Sequence, residues 1–323
     1  MQRILIARYL EDSCIAEFHD RFEFIRPTKE QNTFSLEELM EIIPSCDALF
    51  ACLNPCRKDM LDKGVRLKAV SNMGVGYDNI DWKYATEKKI AVVNTPNSVT
   101  APTADLTMAL ILNVMRQVTY YDRRLRTEGT FATELFFDGS THIEGKTLGL
   151  IGFGRIGKAV AKRALSFGMK IAYYDPFPAS KQSELELEAI YMPLDELLAK
   201  ADVISLHLPY TPQVHHLIDG ESFKKMKESA YLINAARGPI VEEAALIEAL
   251  QNKRIRGAAL DVYEFEPKVS DDLKMLNNVV LTPHIGTMAC EARMNMAKEA
   301  LRGLVGVLSG EHPYNVINPE VFS

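Results

Sequence analysis

The chain has only five cysteines in 323 residues: Cys14, Cys46, Cys52, Cys56 and Cys290, an odd number at scattered positions with no Cys-x-x-Cys pair. That excludes a disulfide framework and leaves reduced, mostly buried thiols as the expectation. Cys52 and Cys56 have neither a nearby histidine nor a further cysteine to complete a ligand set, so no metal site is expected. Excess positive charge is also missing: 37 lysines and arginines against 43 acids give a net charge of -6, with no electrostatic footprint for nucleic acid. Long apolar runs are lacking. The longest, Met108 to Met115, is interrupted by Asn113 and is too short to cross a bilayer, and the N-terminal stretch meets Glu11 and Asp12 too soon for a secretory signal. These absences point to a cytoplasmic protein without nucleic-acid or membrane partners. Repeats and low-complexity tracts are absent as well. What remains is an ordinary globular composition, 47% hydrophobic and 25% charged, at a length that suggests two domains.

The most informative stretch runs from Thr147 to Asp175. The apolar Leu148, Gly149, Leu150 and Ile151 meet the glycines Gly152, Gly154 and Gly157, then a helical pattern, then a second apolar run ending on Asp175. Strand, tight turn, helix and strand in this order form a dinucleotide-binding unit. Gly152 allows the turn, Gly154 lets the backbone approach a pyrophosphate, Gly157 lets helix and strand pack closely, and the helix N-terminus receives the phosphate charge. The loop Gly152-Phe153-Gly154-Arg155-Ile156-Gly157 is therefore the candidate cofactor cradle. Asp175 stands where a carboxylate accepts from both ribose hydroxyls and repels a 2'-phosphate. The following Pro176-Phe177-Pro178 offers no arginine, and Lys181 is the nearest cation. NAD is expected over NADP.

Strand and helix patterns alternate before and after this stretch. Strands are expected around Ile4 to Ala7, Phe24-Ile25, Ala48 to Leu53, Lys68 to Met73 and Ile90 to Asn94. A helical pattern runs through Cys14, Ile15, Phe18 and Phe22, and a helix capped by Ser35 has Glu38 at capping-box spacing. Later strands are expected at Val203 to Leu208, Tyr231 to Asn234, Ala258 to Val262 and Val279 to Thr282, with helices at Leu194 to Lys200, Gly220 to Met226, Glu242 to Asn252 and Cys290 to Leu308. Such alternation makes parallel α/β sheets, with ligands at the C-terminal strand ends. One long helix is expected from Thr103 to about Glu128 as a bridge, followed by an arm, Gly129 to Gly145, whose Phe131, Phe136 and Phe137 suit a contact with a second subunit. The expected architecture is two doubly wound parallel-sheet domains with a cleft between them. A flavodoxin-like substrate domain (1–98 and 289–323) carries an inserted Rossmann NAD-binding domain (99–288).

Three polar residues follow apolar strands directly in the second sheet: Arg237 in INAARGP, Glu266 in DVYEFEP and His284 in TPHIG. Singly each suits a surface or loop role. Together they supply what carbonyl reduction by hydride needs, a cation for a carboxylate and developing oxyanion, and an acid that titrates near neutrality. The other histidines, His19, His142, His215, His216 and His312, have no carboxylate or arginine at a matching strand end and are read as structural.

The chain resembles the D-isomer-specific 2-hydroxyacid dehydrogenases along nearly its whole length. The resemblance rests on SNMGVGYDNID, NTPNSVTAPTADLTMALIL, GLIGFGRIG, HLPYTPQVHHLI, LINAARGPIVEEAALIEAL, AALDVYEFEP and LTPHIG, and it is strongest to glyoxylate/hydroxypyruvate and 2-ketogluconate reductases. It implies that His284 is the acid/base, that Glu266 orients the imidazole and favours its protonated form, and that Arg237 binds the substrate's carboxylate and carbonyl. It further implies that the amides of Val75 and Gly76 complete the carboxylate site. Asp261 and the carbonyl of Ala235 would hold the nicotinamide amide, and Thr103, His207 and Pro209 would line the cofactor site, His207 in a structural or adenine-side place. Leu53, Asn54 and Met288 would gauge substrate size. A small 2-oxo or 2-hydroxy acid as substrate and a homodimer through the NAD-binding domain also follow from the resemblance.

Other readings stay open. Glu266 argues against a formate dehydrogenase, which pairs the histidine with glutamine. A phosphoglycerate dehydrogenase needs cations for a distal phosphate, for which Arg8, Arg57 or Lys58 are available. A D-lactate dehydrogenase usually has an aromatic residue where this chain reads Gly286-Thr287-Met288. An NAD-sensing, corepressor-like binding protein need not keep Arg237, Glu266 and His284 together.

Overall fold

The computed structural model describes residues 1–52, 54–129 and 139–323. They separate into two compact units, Met1–Val99 with Thr287–Ser323, and Thr100–Gly286.

The first unit is built on five parallel strands, β1 (Gln2–Ile6), β2 (Phe22–Ile25), β3 (Ala48–Cys52), β4 (Ala69–Asn72) and β5 (Ala91–Val93), in the order β2-β1-β3-β4-β5. The inner strands are covered on both faces, so their apolar runs are continuous rather than alternating; Ile4, Leu5, Ile6 and all of β3 are buried. The capping box forms: Glu38 N–H donates to Ser35 Oγ (3.2 Å) and Ser35 N–H to Glu38 Oε2 (2.7 Å), starting the Leu36–Ile42 helix. The expected helix through Phe22 does not. It stops after the short turns Asp12–Ile15 and Ala16–Phe18, because Phe22 pairs with Gln2 to open β2. Backbone pairing along the sheet edge overrides the local helical spacing. The chain returns at its end as the Cys290–Leu308 helix and a tail that covers the β5 edge. Asn318 Oδ1 accepts from Val92 N–H (2.7 Å), and Asn318 Nδ2 donates to Ile90 O (3.0 Å). Edge groups that would otherwise invite another strand are thus paired within the unit.

The second unit has seven parallel strands, β6 (Thr147–Ile151), β7 (Lys170–Tyr174), β8 (Ala189–Tyr191), β9 (Val203–Leu206), β10 (Tyr231–Asn234), β11 (Gly257–Leu260) and β12 (Val279–Leu281). Their order is β12-β11-β10-β9-β6-β7-β8. The order reverses at β6, between β7 and β9, which is where an open α/β sheet binds ligands. Strand β8 lay outside the sequence expectations. It is a three-residue edge strand within the short apolar run Ala189 to Met192, and only Ala189 of it is buried, Ile190 and Tyr191 being exposed.

The long helix expected from Thr103 is two helices, Thr100–Arg116 and Val118–Glu128, broken at Gln117, whose φ is +54°. Asn113 makes the break. Its Oδ1 accepts from Thr119 N–H (2.9 Å) and its Nδ2 donates to Thr119 Oγ1 (2.5 Å), a local alternative to the helical ladder. The first helix buries Thr103, Ala104, Thr107, Met108, Leu110, Ile111, Val114 and Met115, whereas Val118 is exposed and its helix buries no residue. The arm residues 130–138, with Phe131, Phe136 and Phe137, lie outside the described residues.

Candidate active site

The loop after β6 is shaped by what it lacks. Gly152 has a φ of +94°, and a Cβ there would lie 2.6 Å from the carbonyl carbon and oxygen of His207, the residue that follows β9. A Cβ on Gly157 would lie 2.3 Å from Gly152 O, so the Arg155–Ser166 helix can start against the turn only without a side chain there. Around Gly154 a Cβ would meet nothing within 4 Å, which leaves its backbone approachable by a phosphate. Arg155 opens the helix at the surface, Ile156 is partly buried, and Phe153 turns inward to stack on Tyr173 at 4.0 Å between ring centres. Asp175 follows β7 directly. Its Oδ2 accepts from Phe153 N–H (2.8 Å) and its Oδ1 from Phe177 N–H (2.9 Å), so the carboxylate is fixed beside the glycine loop. An open backbone at a helix N-terminus, with an oriented carboxylate at the end of the next strand, fits a dinucleotide.

His207 backs this loop. Although partly accessible, its ring is surrounded by enough protein that burial pushes it down to about 3, so it is neutral at physiological pH. Its Nε2 lies 2.8 Å from Ser205 Oγ. Pro209 follows at the surface, and Thr103 is buried in the Thr100–Arg116 helix.

The chemistry-bearing residues gather at the neighbouring strand ends of the same unit. After β10, Asn234 Oδ1 accepts from Ala236 N–H (3.0 Å) and its Nδ2 donates to Arg237 O (3.0 Å), shaping the Ala235-Ala236-Arg237 turn. Sequence reasoning passed over Asn234; the available signal was a lone amide closing an otherwise apolar strand. After β12, His284 has a φ of +53°, an uncommon conformation for a side-chain-bearing residue. Asp261 holds it there. The Asp261 carboxylate is fully buried and accepts from Thr282 Oγ1 (2.6 Å), Ile285 N–H (2.8 Å) and Gly286 N–H (2.8 Å), while His284 N–H donates to Asp261 O (2.9 Å). Placed by sequence beside the nicotinamide, Asp261 spends its described hydrogen bonds on the histidine turn. Burial pushes its carboxyl up despite the bonds from Thr282, Ile285 and Gly286.

Glu266 Oε2 lies 3.0 Å from His284 Nδ1, and Glu266 Oε1 accepts from Tyr263 N–H (3.0 Å). Burial alone would raise the Glu266 carboxyl, but the His284 hydrogen bond and charge, the Tyr263 N–H and the Arg237 charge together hold it below the usual carboxylate range. Glu266 is thus an anion facing an imidazole, with Arg237 close enough to act on it. Among the described residues no group of three histidine, cysteine or acidic side chains could hold a metal ion.

The first unit places its loops at C-terminal strand ends too. Val75 O accepts from Asn94 Nδ2 (2.9 Å) and Gly76 O from Asn72 Nδ2 (2.5 Å), which turns the carbonyls of this loop to the protein. Met288 is exposed, Asn54 is partly buried, and Leu53 lies outside the described residues.

Residues 108–286 match the family described as D-isomer specific 2-hydroxyacid dehydrogenase, NAD binding domain. A Staphylococcus aureus (strain MRSA252) protein named as a 2-hydroxyacid dehydrogenase is 44% identical over 320 residues, covering 98% of this chain and all of that protein. Among solved structures, a glyoxylate reductase from Paecilomyes thermophila superposes with a TM-score of 0.86 at 28% identity, covering 99% of each chain. The apo form of Rhodotorula graminis D-mandelate dehydrogenase superposes with a TM-score of 0.83 at 29% identity, covering 98% of this chain and 97% of that one. Fold and site together define an NAD-dependent oxidoreductase. The chain belongs to the D-isomer-specific 2-hydroxyacid dehydrogenase family.

Proposed function

We propose that this enzyme interconverts a small D-2-hydroxy acid and its 2-oxo acid, with glyoxylate and hydroxypyruvate as the preferred oxidised substrates and NAD(H) preferred over NADP(H). The observation that carries the chemistry is the His284 Nδ1–Glu266 Oε2 pair at 3.0 Å, with the charge of Arg237 acting on the same carboxylate. Because Glu266 takes Nδ1, Nε2 is the atom left to give a proton to the carbonyl oxygen in reduction and to remove one from the hydroxyl in oxidation. Arg237 presents a planar fork suited to a carboxylate and the adjacent carbonyl. The bound nicotinamide supplies or accepts the hydride. In the first unit, the backbone N–H groups of Val75 and Gly76 suit the substrate carboxylate. Asp175, fixed beside the loop by the Phe153 and Phe177 N–H groups, suits a ribose with free hydroxyls. A homodimer through the NAD-binding unit is part of this reading, supported by Val118 and Leu125 exposed on a helix that buries no residue.

One observation favours a second reading within the family. Arg8, just past β1, and Arg293 act on each other and on Cys52 at the end of β3. Burial, then the charge of Arg8, lowers Arg293, and no ion pair neutralises either cation among the described residues. Of the other cations considered for a distal phosphate, Arg57 donates to Asp78 O (3.2 Å) and Lys58 lies over the Tyr84 ring at 4.7 Å. Arg8 and Arg293 therefore keep a 2-oxo acid with a distal anionic group, such as the phosphorylated three-carbon acid, in contention.

A panel of 2-oxo acids assayed with NADH and with NADPH tests both readings. Faster oxidation of NADH with glyoxylate or hydroxypyruvate is expected. Exclusive turnover of the phosphorylated substrate establishes the second reading, and NADH binding without turnover of any 2-oxo acid makes the chain an NAD-sensing binding protein instead.

A further inference from the structure

Behind the Glu266–His284 pair lies a second set of titratable residues that the proposed chemistry does not use. Glu264 lies two residues before Glu266, on the same loop after β11. Its Oε1 is 2.6 Å from His216 Nε2, and its Oε2 accepts from Glu243 N–H (2.9 Å). The arrangement is reciprocal, because Glu243 Oε2 accepts from Glu264 N–H (3.1 Å). Glu243 is the first residue of the Glu243–Gln251 helix, whose N-cap residue Glu242 makes no side-chain cap bond. Glu264 thus caps that helix from a loop twenty-one positions away in sequence, with a carboxylate at the positive end of the helix. His216, read from sequence as a histidine without an acidic partner, stands on the far side of the same carboxylate. It too has a positive φ, +53°, and its N–H donates to Pro239 O (2.9 Å).

These contacts join two loops. One is the turn from Arg237 through Gly238 and Pro239 to Glu243; the other runs from Tyr263 to Glu266. The loops touch so closely that a Cβ on Gly238 would sit 1.8 Å from Tyr263 O and 2.5 Å from Glu264 N. Tyr263, the neighbour that Gly238 abuts, donates its N–H to Glu266 Oε1 (3.0 Å). A continuous path therefore runs from His216 and Glu243 through Glu264 and the Tyr263 peptide to the carboxylate that faces His284. Glu264 is mostly buried and Glu243 almost wholly so, and burial pushes the Glu243 carboxyl up. Two buried acidic side chains are accommodated here because each accepts a hydrogen bond from the other's backbone.

We propose that Glu264 is a positioning residue for this active site: held between His216 and the N-terminus of the Glu243–Gln251 helix, it clamps the Glu266 loop to the Arg237 turn so that Glu266 meets His284 Nδ1. This rests on the proposed acid/base role of His284. A misplaced Glu266 orients the imidazole less well and sets its negative charge farther from it, which weakens proton donation to the substrate carbonyl.

The test uses the full-length protein. Glu264→Ala is expected to lower kcat for 2-oxo acid reduction by roughly ten- to a hundredfold, the effect of a small misplacement of a catalytic group. The pH above which reduction fails should move down, and the NADH dissociation constant should stay within about twofold, because the glycine loop is untouched. Glu264→Gln keeps an acceptor for Glu243 N–H and is expected to recover most of kcat. A Glu264→Ala protein with wild-type kcat and pH profile, changed only in melting temperature, would reduce Glu264 to a structural cap and overturn the proposal. If that variant does not fold, His216→Asn decides: the same downward pH movement with a smaller loss of kcat supports the clamp, and an unchanged profile overturns it. The controls separate the two levels. An active wild type with an inactive His284→Ala and an unimpaired Glu264→Ala defeats the clamp alone, whereas a wild type inactive on every 2-oxo acid defeats the acid/base reading and this inference with it.

Discussion

The glycine loop after β6 and the histidine turn after β12 lie at C-terminal strand ends of one sheet, yet they are held in opposite ways. At the glycine loop, shape comes from missing side chains: Gly152 and Gly157 sit where a single Cβ would strike backbone, and one carboxylate, Asp175, ties the loop to its neighbour. At the histidine turn, shape comes from side chains that reach across the unit. Asp261 pins Thr282, Ile285 and Gly286, Glu266 faces His284, and His284 keeps a left-handed φ within this network. The first construction is local and steric; the second is long-range and polar. A cofactor shared by many enzymes needs a rigid cradle, whereas a proton-transferring group needs both orientation and charge tuned by neighbours.

The comparison can be broken first at its polar end. His284→Ala is expected to lower kcat by about two to four orders of magnitude, the usual worth of a general acid/base, while NADH binding measured by fluorescence titration stays nearly intact. Equal loss of NADH binding would sink the assignment. The steric end should respond differently. Gly152→Ala puts a methyl group 2.6 Å from His207 backbone at a φ of +94°, so urea unfolding should show a loss of about 1–3 kcal/mol and NADH titration a weaker complex. Wild-type stability and NADH affinity in that variant would refute the steric account of the loop.

The smallest effect sharpens the contrast through pH. Burial pushes His207 down to about 3 in the folded chain, below its value of about 6.5 when unfolded. The unfolded state therefore binds more protons between these values, and stability falls as pH drops through that window. From pH 7 to pH 5 this amounts to at most about 2 kcal/mol, and His207→Asn should flatten that part of the melting-temperature curve. An unchanged slope would mean that His207 is not the group responsible.

The parts of the molecule specified by local sequence were legible. Apolar runs of strand length located most of the strands, and Ser35 and Glu38 formed the cap their spacing predicts. The glycines and Asp175 came together at the point where strand order reverses. Arg237, Glu266 and His284 stood out as polar residues in the short loops that follow the apolar strands β10, β11 and β12. The structure departs from the local pattern where strand pairing, a competing side-chain hydrogen bond or an exposed edge decided the outcome. Phe22 left a helical pattern to pair with β1, Asn113 broke the helix at Gln117, and β8 formed as a three-residue edge strand that buries only Ala189.

By itself, then, the sequence determined two parallel α/β units and the glycine loop of an NAD-binding unit, and it singled out Arg237, Glu266 and His284 as candidates for the proposed chemistry, because each depends on periodicity, turn residues or a short motif. Tertiary structure alone decided how those residues are held. It turned Asp261 to the histidine turn, gave His216 a carboxylate, and set Glu243 and Glu264 to accept from each other's backbone. These bonds join residues 21 to 48 positions apart. A hydrogen bond between such partners leaves no periodic trace along the chain and exists only once the sheet has brought its strand ends together.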